Sequence, residues 1–112
     1  MLDIKTISED ITAGLKPLNP LMVVLFGSYA YGAPTDESDV DIYVVLNDDY
    51  IPENFSQKQE IFLRVSRSLR HLRMMFPIDL VVHTKAMYHK FIEVESSFSR
   101  DILSKGIQLY AQ

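Results

Sequence analysis

Two aspartates spaced two residues apart, Asp39 and Asp41, stand where a polar segment gives way to an apolar one. Side chains alternate across a β-strand, so such a pair directs both carboxylates to one face. Adjacent carboxylates repel each other and raise a pKa unless a cation lies between them. Magnesium usually combines one or two carboxylates with substrate phosphates. The pair therefore predicts a magnesium site, with a solvated turn at the strand entry as the alternative.

A third aspartate, Asp79, interrupts the apolar run 78–83. A carboxylate in a buried strand is energetically costly unless it is paired or bound to a metal. We therefore expect Asp79 to belong to the same site. The alternative is an ordinary aspartate at a strand start just after Pro77.

A glycine and a serine, Gly27 and Ser28, directly follow the apolar run 21–26 and precede a short segment that we interpret as one or two helical turns. Glycine lets another group approach the backbone closely. Free amides and a hydroxyl at a helix N-terminus suit a phosphate. A Gly-Ser pair alone more often marks a plain turn. The prediction of a phosphate site depends on the position of the pair between a buried strand and a helix.

Alternating strands and helices must position these residues. Continuous apolar runs predict buried strands at 21–26, Val40–Leu46 and 78–83. Apolar residues at helical spacing predict a first helix ending before Pro17, a long helix over about 56–75 that stops at Pro77, and two later helices. These later helices lie around 86–92 and 96–105, followed by a Gly106 cap and a short apolar end at 107–110. The alternation predicts an α/β domain.

Composition limits the possible functions. The 112 residues predict one domain over 1–112, and the net charge of −4 gives no bias towards nucleic acid. The absence of cysteine excludes disulfides, thiolate zinc sites and cysteine nucleophiles. The N-terminus does not resemble a signal peptide, and no apolar run nears the roughly 20 residues of a membrane helix. We expect a cytoplasmic protein whose direct partners include neither membrane nor nucleic acid.

Two further sets of residues are weaker candidates. Four arginines on the predicted long helix project opposite its apolar stripe, which favours a solvated face over a docking surface for an acidic partner; they are Arg64, Arg67, Arg70 and Arg73. The histidines lack the spacing of a metal site, although His83 shares a strand face with Asp79. Three tyrosines near the candidate site are expected in the core or the site wall; they are Tyr29, Tyr31 and Tyr43.

The segment LFGSYAYGAPTDESDVDIYVV resembles the nucleotidyltransferase superfamily of DNA polymerase beta, in particular its minimal branch, the MNT domains. The signature of that family is Gly-Ser, about ten residues, and then Asp-x-Asp. Here Gly27-Ser28 is followed by ten residues and then by Asp39-Val40-Asp41. The lead-in LKPLNPLMVVLFGS and the ending ILSKGIQLY are also similar to the family, so the resemblance covers nearly the whole chain.

The resemblance implies a polymerase beta-like fold, a small mixed β-sheet flanked by helices. It assigns Asp39 and Asp41 to the metal-binding pair, Asp79 to the third carboxylate and candidate base, and Gly27 and Ser28 to the phosphate-binding turn. It implies Mg²⁺ as cofactor, as two ions, with Mn²⁺ as a substitute. Many relatives have an arginine shortly after Gly-Ser, and this chain has Tyr31 there instead.

The resemblance also implies an activity and a partner. An acceptor hydroxyl would attack the α-phosphate of a nucleoside triphosphate, expected to be ATP, and AMP would be transferred. MNT antitoxins pair with a small helical HEPN toxin and can add AMP to a tyrosine on it, so a HEPN-type partner is expected. The alternative is a non-catalytic antitoxin or binding module that neutralises its partner by contact alone. Loss of a carboxylate would favour that alternative, and all three are present.

Overall fold

The computed structural model describes residues 3–112. Strands and helices alternate along this part of the chain, as predicted. In chain order the elements are α1 (Ile4–Leu15), β1 (Met22–Phe26), α2 (Ser28–Tyr31), β2 (Val40–Leu46), α3 (Phe55–Ser68), α4 (Arg70–Arg73), β3 (Ile78–Thr84), α5 (Lys85–Val94), α6 (Ser97–Lys105) and β4 (Ile107–Ala111).

Within the described residues, the strands form one mixed sheet in the order β3-β2-β1-β4. Strand β1 pairs antiparallel with β2 and with β4, whereas β2 pairs parallel with β3. The prediction of an α/β fold with a small mixed sheet is confirmed. Because of these directions, the end of β1 meets the starts of β2 and β3 at one edge of the sheet.

Helices cover both faces of the sheet. Helices α1, α3 and α4 bury Ile11, Val65 and Leu72 against one face of β2, which presents Ile42 and Val44. On the other face, Tyr43 and Val45 pack with Ile102 of α6 and with Tyr88 and Phe91 of α5. Full burial of one large apolar side chain contributes about 1.5–3 kcal/mol. The two apolar layers therefore fix β2, and with it the residues at its start.

The predicted long helix over 56–75 is wrong in one respect. Helix α3 ends at Ser68, and Leu69 has non-helical angles (φ −104°, ψ 11°) before α4 begins. Leu69 is fully buried, and its side chain and the Ser68 carbonyl both pack against Gly14 of α1. The apolar stripe runs through the break without a change of spacing, so periodicity could not reveal it.

The prediction that the four arginines form a solvated face is wrong for Arg64. Its guanidinium forms two hydrogen bonds with the Asp48 carboxylate, at 2.8 and 3.1 Å, and both side chains are half-buried. Arg73 donates to the Ser66 hydroxyl at 3.0 Å. Arg67, Arg70 and Arg73 are exposed, as predicted, and none of them forms an ion pair with another described residue.

The end of the chain forms an element that was not predicted. The segment expected as a short apolar end is strand β4, which pairs with β1 at the edge of the sheet. Gly106 ends α6 as predicted, because its amide donates to the Ile102 carbonyl at 3.1 Å. None of the helices in residues 3–112 combines the length and the apolarity that a membrane span needs.

Candidate active site

The sheet register brings the three predicted carboxylates to one edge. Asp41 lies opposite Asp79 in the parallel β2–β3 pair and opposite Phe26 in the antiparallel β1–β2 pair. Neighbouring strands are about 4.8 Å apart, so the two aspartates are adjacent. Asp39 precedes β2 by one residue and is exposed.

The charges of the three aspartates act on one another. The pKa of Asp41 rises from its ordinary value of 3.8 to about 6. The main cause is burial, followed by the negative charges of Asp79 and Asp39 and by a hydrogen bond with Asp79. Such a group of carboxylates is destabilised when all are ionised, and a bound cation would remove the repulsion. Perturbed carboxylates of this kind cluster at functional sites.

The donor set fits a magnesium ion that is shared with phosphates. All three candidate ligands are carboxylates, the oxygen donors that magnesium prefers. In the part of the chain that the structure describes, no three acidic or histidine side chains already form a complete ligand set around one point. Magnesium is usually held by one or two carboxylates plus substrate phosphates, so an incomplete protein shell is compatible with it.

Gly27 shapes the opposite wall of this site. Its backbone has φ +75° and ψ −161°, a region that is essentially restricted to glycine. A β-carbon at Gly27 would lie 1.8 Å from Oδ2 of Asp41, so the carboxylate packs directly on the glycine backbone. Another group does approach the Gly27 backbone closely, and it is a carboxylate; the phosphate contact at Gly27 stays a prediction.

Ser28 begins a helix of only one turn. The first amides of a helix have no partner within the helix. Here the amides of Ala30 and Tyr31 donate to the Gly27 carbonyl, and those of Ser28 and Tyr29 precede the first helical hydrogen bond. Tyr29 is buried and anchors the turn in the core, as predicted. Tyr31 is 44% exposed, so it is not a core residue.

A pair formed by a buried tyrosine and a half-buried histidine lies away from the carboxylates. The Tyr43 hydroxyl and Nδ1 of His83 are 2.7 Å apart. His83 and Asp79 share one face of β3 but are four residues apart, which corresponds to about 13 Å. His83 therefore does not join the three aspartates. A buried tyrosine on a strand needs a hydrogen-bond partner, but only the register shows that the partner is His83.

Comparison with known proteins identifies the family. The family model described as polymerase beta nucleotidyltransferase matches residues 9–112. The chain belongs to this nucleotidyltransferase family. It is also similar to a Methanocaldococcus jannaschii protein provisionally named protein adenylyltransferase MJ0141, with 32% identity over 100 residues, which is 88% of this chain and 94% of that protein. The enzyme class predicted from the sequence is confirmed.

Solved structures agree on the fold. One chain of a toxin–antitoxin complex with AMP-PNP superimposes with a TM-score of 0.57 at 21% identity, covering 94% of this chain and 73% of that chain. A chain from a complex of tri-AMPylated Shewanella oneidensis HEPN toxin with MNT antitoxin gives a TM-score of 0.51 at 19% identity, covering 96% and 72%. The polymerase beta-like fold is therefore confirmed.

Proposed function

We propose that this nucleotidyltransferase transfers AMP from ATP to a hydroxyl group of a partner protein, specifically a tyrosine of a HEPN-type helical toxin. In this proposal Asp39, Asp41 and Asp79 are the catalytic and metal-binding carboxylates, and Gly27 and Ser28 form the phosphate-binding turn. The chain would thus act as the antitoxin of a toxin–antitoxin pair, by modifying the toxin.

One observation carries the proposal. Asp41 lies between Asp79 on the next strand and the Gly27-Ser28 turn at the end of β1. A triphosphate bound at the turn would therefore have its phosphates beside the carboxylates. The raised pKa of Asp41 adds an electrostatic reason for a cation at the same place.

The residues have distinct roles in the proposed reaction. Asp39 and Asp41 would hold Mg²⁺, which when bound stabilises negative charge on the entering and leaving oxygens. The amide and hydroxyl of Ser28 would orient the phosphates. Asp79 would accept the proton of the attacking hydroxyl. A new bond forms between the acceptor oxygen and the α-phosphorus. The bond from the α-phosphorus to the oxygen that bridges the α- and β-phosphates breaks, and pyrophosphate leaves with that oxygen.

The choice of acceptor is supported by the relatives. A curated relative carries the name of a protein adenylyltransferase, and a solved structure with the same fold contains an AMPylated HEPN toxin with an MNT antitoxin. The adenylyltransferase name and the AMPylated toxin belong to those two relatives. For this chain, both relatives favour a protein hydroxyl as the acceptor over a nucleic acid or a small molecule. The net charge of −4 also disfavours a nucleic acid as the acceptor.

Parallel reactions with α-³²P- and γ-³²P-labelled ATP test the proposal. The chain is incubated with Mg²⁺ and a HEPN-type helical protein from the same genome. We expect α-label on a tyrosine of that protein, located by mass spectrometry, and no γ-label. Asp79→Asn should abolish transfer and retain ATP binding, because it keeps the shape and removes the proton acceptor.

Two results would overturn the proposal. Transfer of γ-label would indicate a kinase reaction, which requires different placement of the phosphates. Full neutralisation of the partner by Asp79→Asn, with no label transferred by the wild type, would make the chain an antitoxin that acts by contact alone.

A further inference from the structure

An apolar groove runs along the edge of β3, remote from the carboxylates. Two cavities of about 510 and 300 Å³ share His83 and Met87 in their walls, so they form one continuous surface. In residues 3–112, β3 pairs with β2 on one side and has its other side free. We call this surface the β3-edge groove and define it by six of its lining residues, Ile51, Phe55, Lys58, His83, Lys90 and Val94.

The groove exposes large apolar side chains. Phe55 in one cavity is 76% exposed, and Val94 and Ile51 in the other are 73% and 43% exposed. Single exposed apolar residues are common, but several that line one concave surface mark a binding site. The apolar part of an occupant would therefore gain free energy by leaving water here.

His83 places one directed hydrogen-bond donor in this apolar surface. The Tyr43 side chain is fully buried, and among the described residues its hydroxyl has Nδ1 of His83 as its side-chain partner. We assign the hydroxyl proton to this hydrogen bond, because a buried hydroxyl without a partner for its proton is costly. Nδ1 is then the acceptor, and the ring proton lies on Nε2. Burial lowers the pKa of His83, which favours the neutral form of the ring. His83 lines both cavities, and its Nε2–H is the donor available to an occupant.

The charges at the groove have one sign. Lys58 lines one cavity and Lys90 lines the other, and the described residues that line the two cavities include no carboxylate. Neither lysine forms an ion pair with another described residue. The whole chain carries a net charge of −4, so this positive rim is a local feature. The charged side chains that line the groove are thus both cations, and the other polar lining residues, Gln59 and Ser96, are neutral.

The groove and the candidate active site lie along the same strand. Asp79 and His83 occupy one face of β3, about 13 Å apart. An extended segment of about four residues spans that distance. A protein held in the groove could therefore present a hydroxyl to Asp79.

We infer that the β3-edge groove binds a segment of the acceptor protein in which a bulky apolar side chain is flanked by carboxylates. The apolar side chain would lie between Phe55 and Val94, and the carboxylates would meet Lys58 and Lys90. A carbonyl or carboxylate oxygen would accept from Nε2 of His83. The inference rests on the proposed function only where it assigns the segment to the acceptor.

Peptide binding tests the surface without any transfer reaction. The probe is a fluorescein-labelled peptide, Glu-Glu-Leu-Phe-Glu-Glu, and the comparison peptides are Lys-Lys-Leu-Phe-Lys-Lys and Glu-Glu-Ser-Ser-Glu-Glu. Fluorescence anisotropy should show at least tenfold tighter binding of the probe than of either comparison peptide. Amide shifts in ¹⁵N-labelled chain should map to the groove and leave Ser28 and Asp41 unchanged.

Variants with matched charge changes define the contacts. Lys58→Glu with Lys90→Glu should weaken probe binding at least tenfold, and the exposed change Phe55→Ser should do the same. Arg67→Glu with Arg70→Glu alters the net charge equally on exposed positions outside the groove and should leave binding unchanged. ATP binding should be equal in all these variants, and Asp79→Asn should bind the probe as the wild type does.

The outcomes separate this inference from the proposed function. Probe binding that persists while no AMP transfer occurs would refute the proposed reaction and leave the binding surface intact. Equal binding of the three peptides, or indifference to the groove variants, would overturn the inference. A dimer in sedimentation that Phe55→Ser converts to monomer would also overturn it, because the occupant would then be a second copy.

Discussion

The carboxylate of Asp41 occupies the space in which any side chain on Gly27 would begin. A β-carbon at Gly27 would lie 1.8 Å from Oδ2 of Asp41, far inside van der Waals contact. The two residues are 14 positions apart and meet because Phe26 and Asp41 are partners in the β1–β2 pair. Gly27 therefore has a second role beside the proposed phosphate contact, which is to leave room for the central carboxylate.

Gly27→Ala should displace Asp41 and abolish transfer. The added methyl group forces the carboxylate away from its position, and displacements of about 1 Å at a reacting centre can reduce rates about 100-fold. The positive φ of +75° adds strain of about 1–3 kcal/mol. Transfer rates per folded molecule and thermal unfolding measure the two effects separately.

Gly32→Ala is the matched control. Gly32 also has a positive φ, +84°, but a β-carbon there would meet no atom within 4 Å. We expect a loss of stability from backbone strain and a nearly unchanged transfer rate. Equal loss of activity in both variants would show that strain in this turn, and not contact with Asp41, controls the site.

Asp41 should make the metal-free chain less stable as the pH rises from about 4 to 6. Its pKa is about 6 in the folded chain and ordinarily 3.8, so in this window the folded state binds more protons than the unfolded state. Protonation therefore stabilises the fold, and that stabilisation is lost as the pH rises through the folded pKa. Asp41→Asn should be more stable than wild type at pH 8, by about 1 kcal/mol after allowance for solvent screening.

Thermal unfolding between pH 4 and 8 measures this effect. The difference between Asp41→Asn and wild type should be a few degrees at pH 8 and should vanish near pH 4. Asp36→Asn, which makes the same chemical change in the exposed loop before β2, serves as the control. A difference that stays constant over the whole range would mean that Asp41 does not titrate as its surroundings imply.

Tyr31→Arg should tighten binding of the triphosphate. Tyr31 lies one helical turn after Ser28 and is 44% exposed, so an arginine there has room to reach the phosphates. A charge-assisted hydrogen bond contributes about 1–2 kcal/mol here, or roughly five- to thirtyfold in affinity. Calorimetry with ATP and Mg²⁺ measures the change. Tyr31→Gln, which has no charge, serves as control, and equal affinities of both variants would place residue 31 away from the phosphates.

Arg64→Met should destabilise the fold by about 1–2 kcal/mol, although no catalytic role is proposed for Arg64. Arg64 binds the Asp48 carboxylate with two hydrogen bonds, and the Asp48 carbonyl accepts from the Lys85 amide at 2.9 Å. Arg64 thus links α3 to the loop that supports the start of α5. Urea unfolding should show this loss, whereas Arg67→Met should stay within about 0.5 kcal/mol. If both variants lowered the free energy of unfolding by a similarly small amount, the ion pair between Arg64 and Asp48 would be an ordinary surface contact.

The parts of the fold that follow from local pattern were predictable. The bounds of β2 follow from an apolar run, and the closeness of the Asp39 and Asp41 charges follows from their i, i+2 spacing. Contacts that depend on register could not be predicted from the residues alone. These include the packing of Asp41 on Gly27 and the hydrogen bond between Tyr43 and His83.

The interruption of the predicted long helix has a different cause. An apolar stripe indicates which residues face the core, and Val65, Leu69 and Leu72 are all buried as it requires. It does not indicate whether the backbone between them keeps helical angles. The contact of Gly14 with the chain at Ser68 and Leu69 is a tertiary feature, so the break became visible only in the structure.

Asp39→Asn and Asp41→Asn should each remove metal-dependent nucleotide binding. An asparagine keeps the shape and one oxygen but lacks the negative charge that holds Mg²⁺ beside the phosphates. Calorimetry with α,β-methylene-ATP, which cannot release pyrophosphate, separates binding from reaction. Wild type should bind Mg²⁺ weakly alone and at least tenfold more tightly with the nucleotide, since phosphates complete the octahedral shell. Asp36→Asn should behave like wild type, because it makes the same chemical change on an exposed loop residue. Unchanged nucleotide-dependent Mg²⁺ binding in both variants would place the metal elsewhere and remove the basis for the proposed reaction.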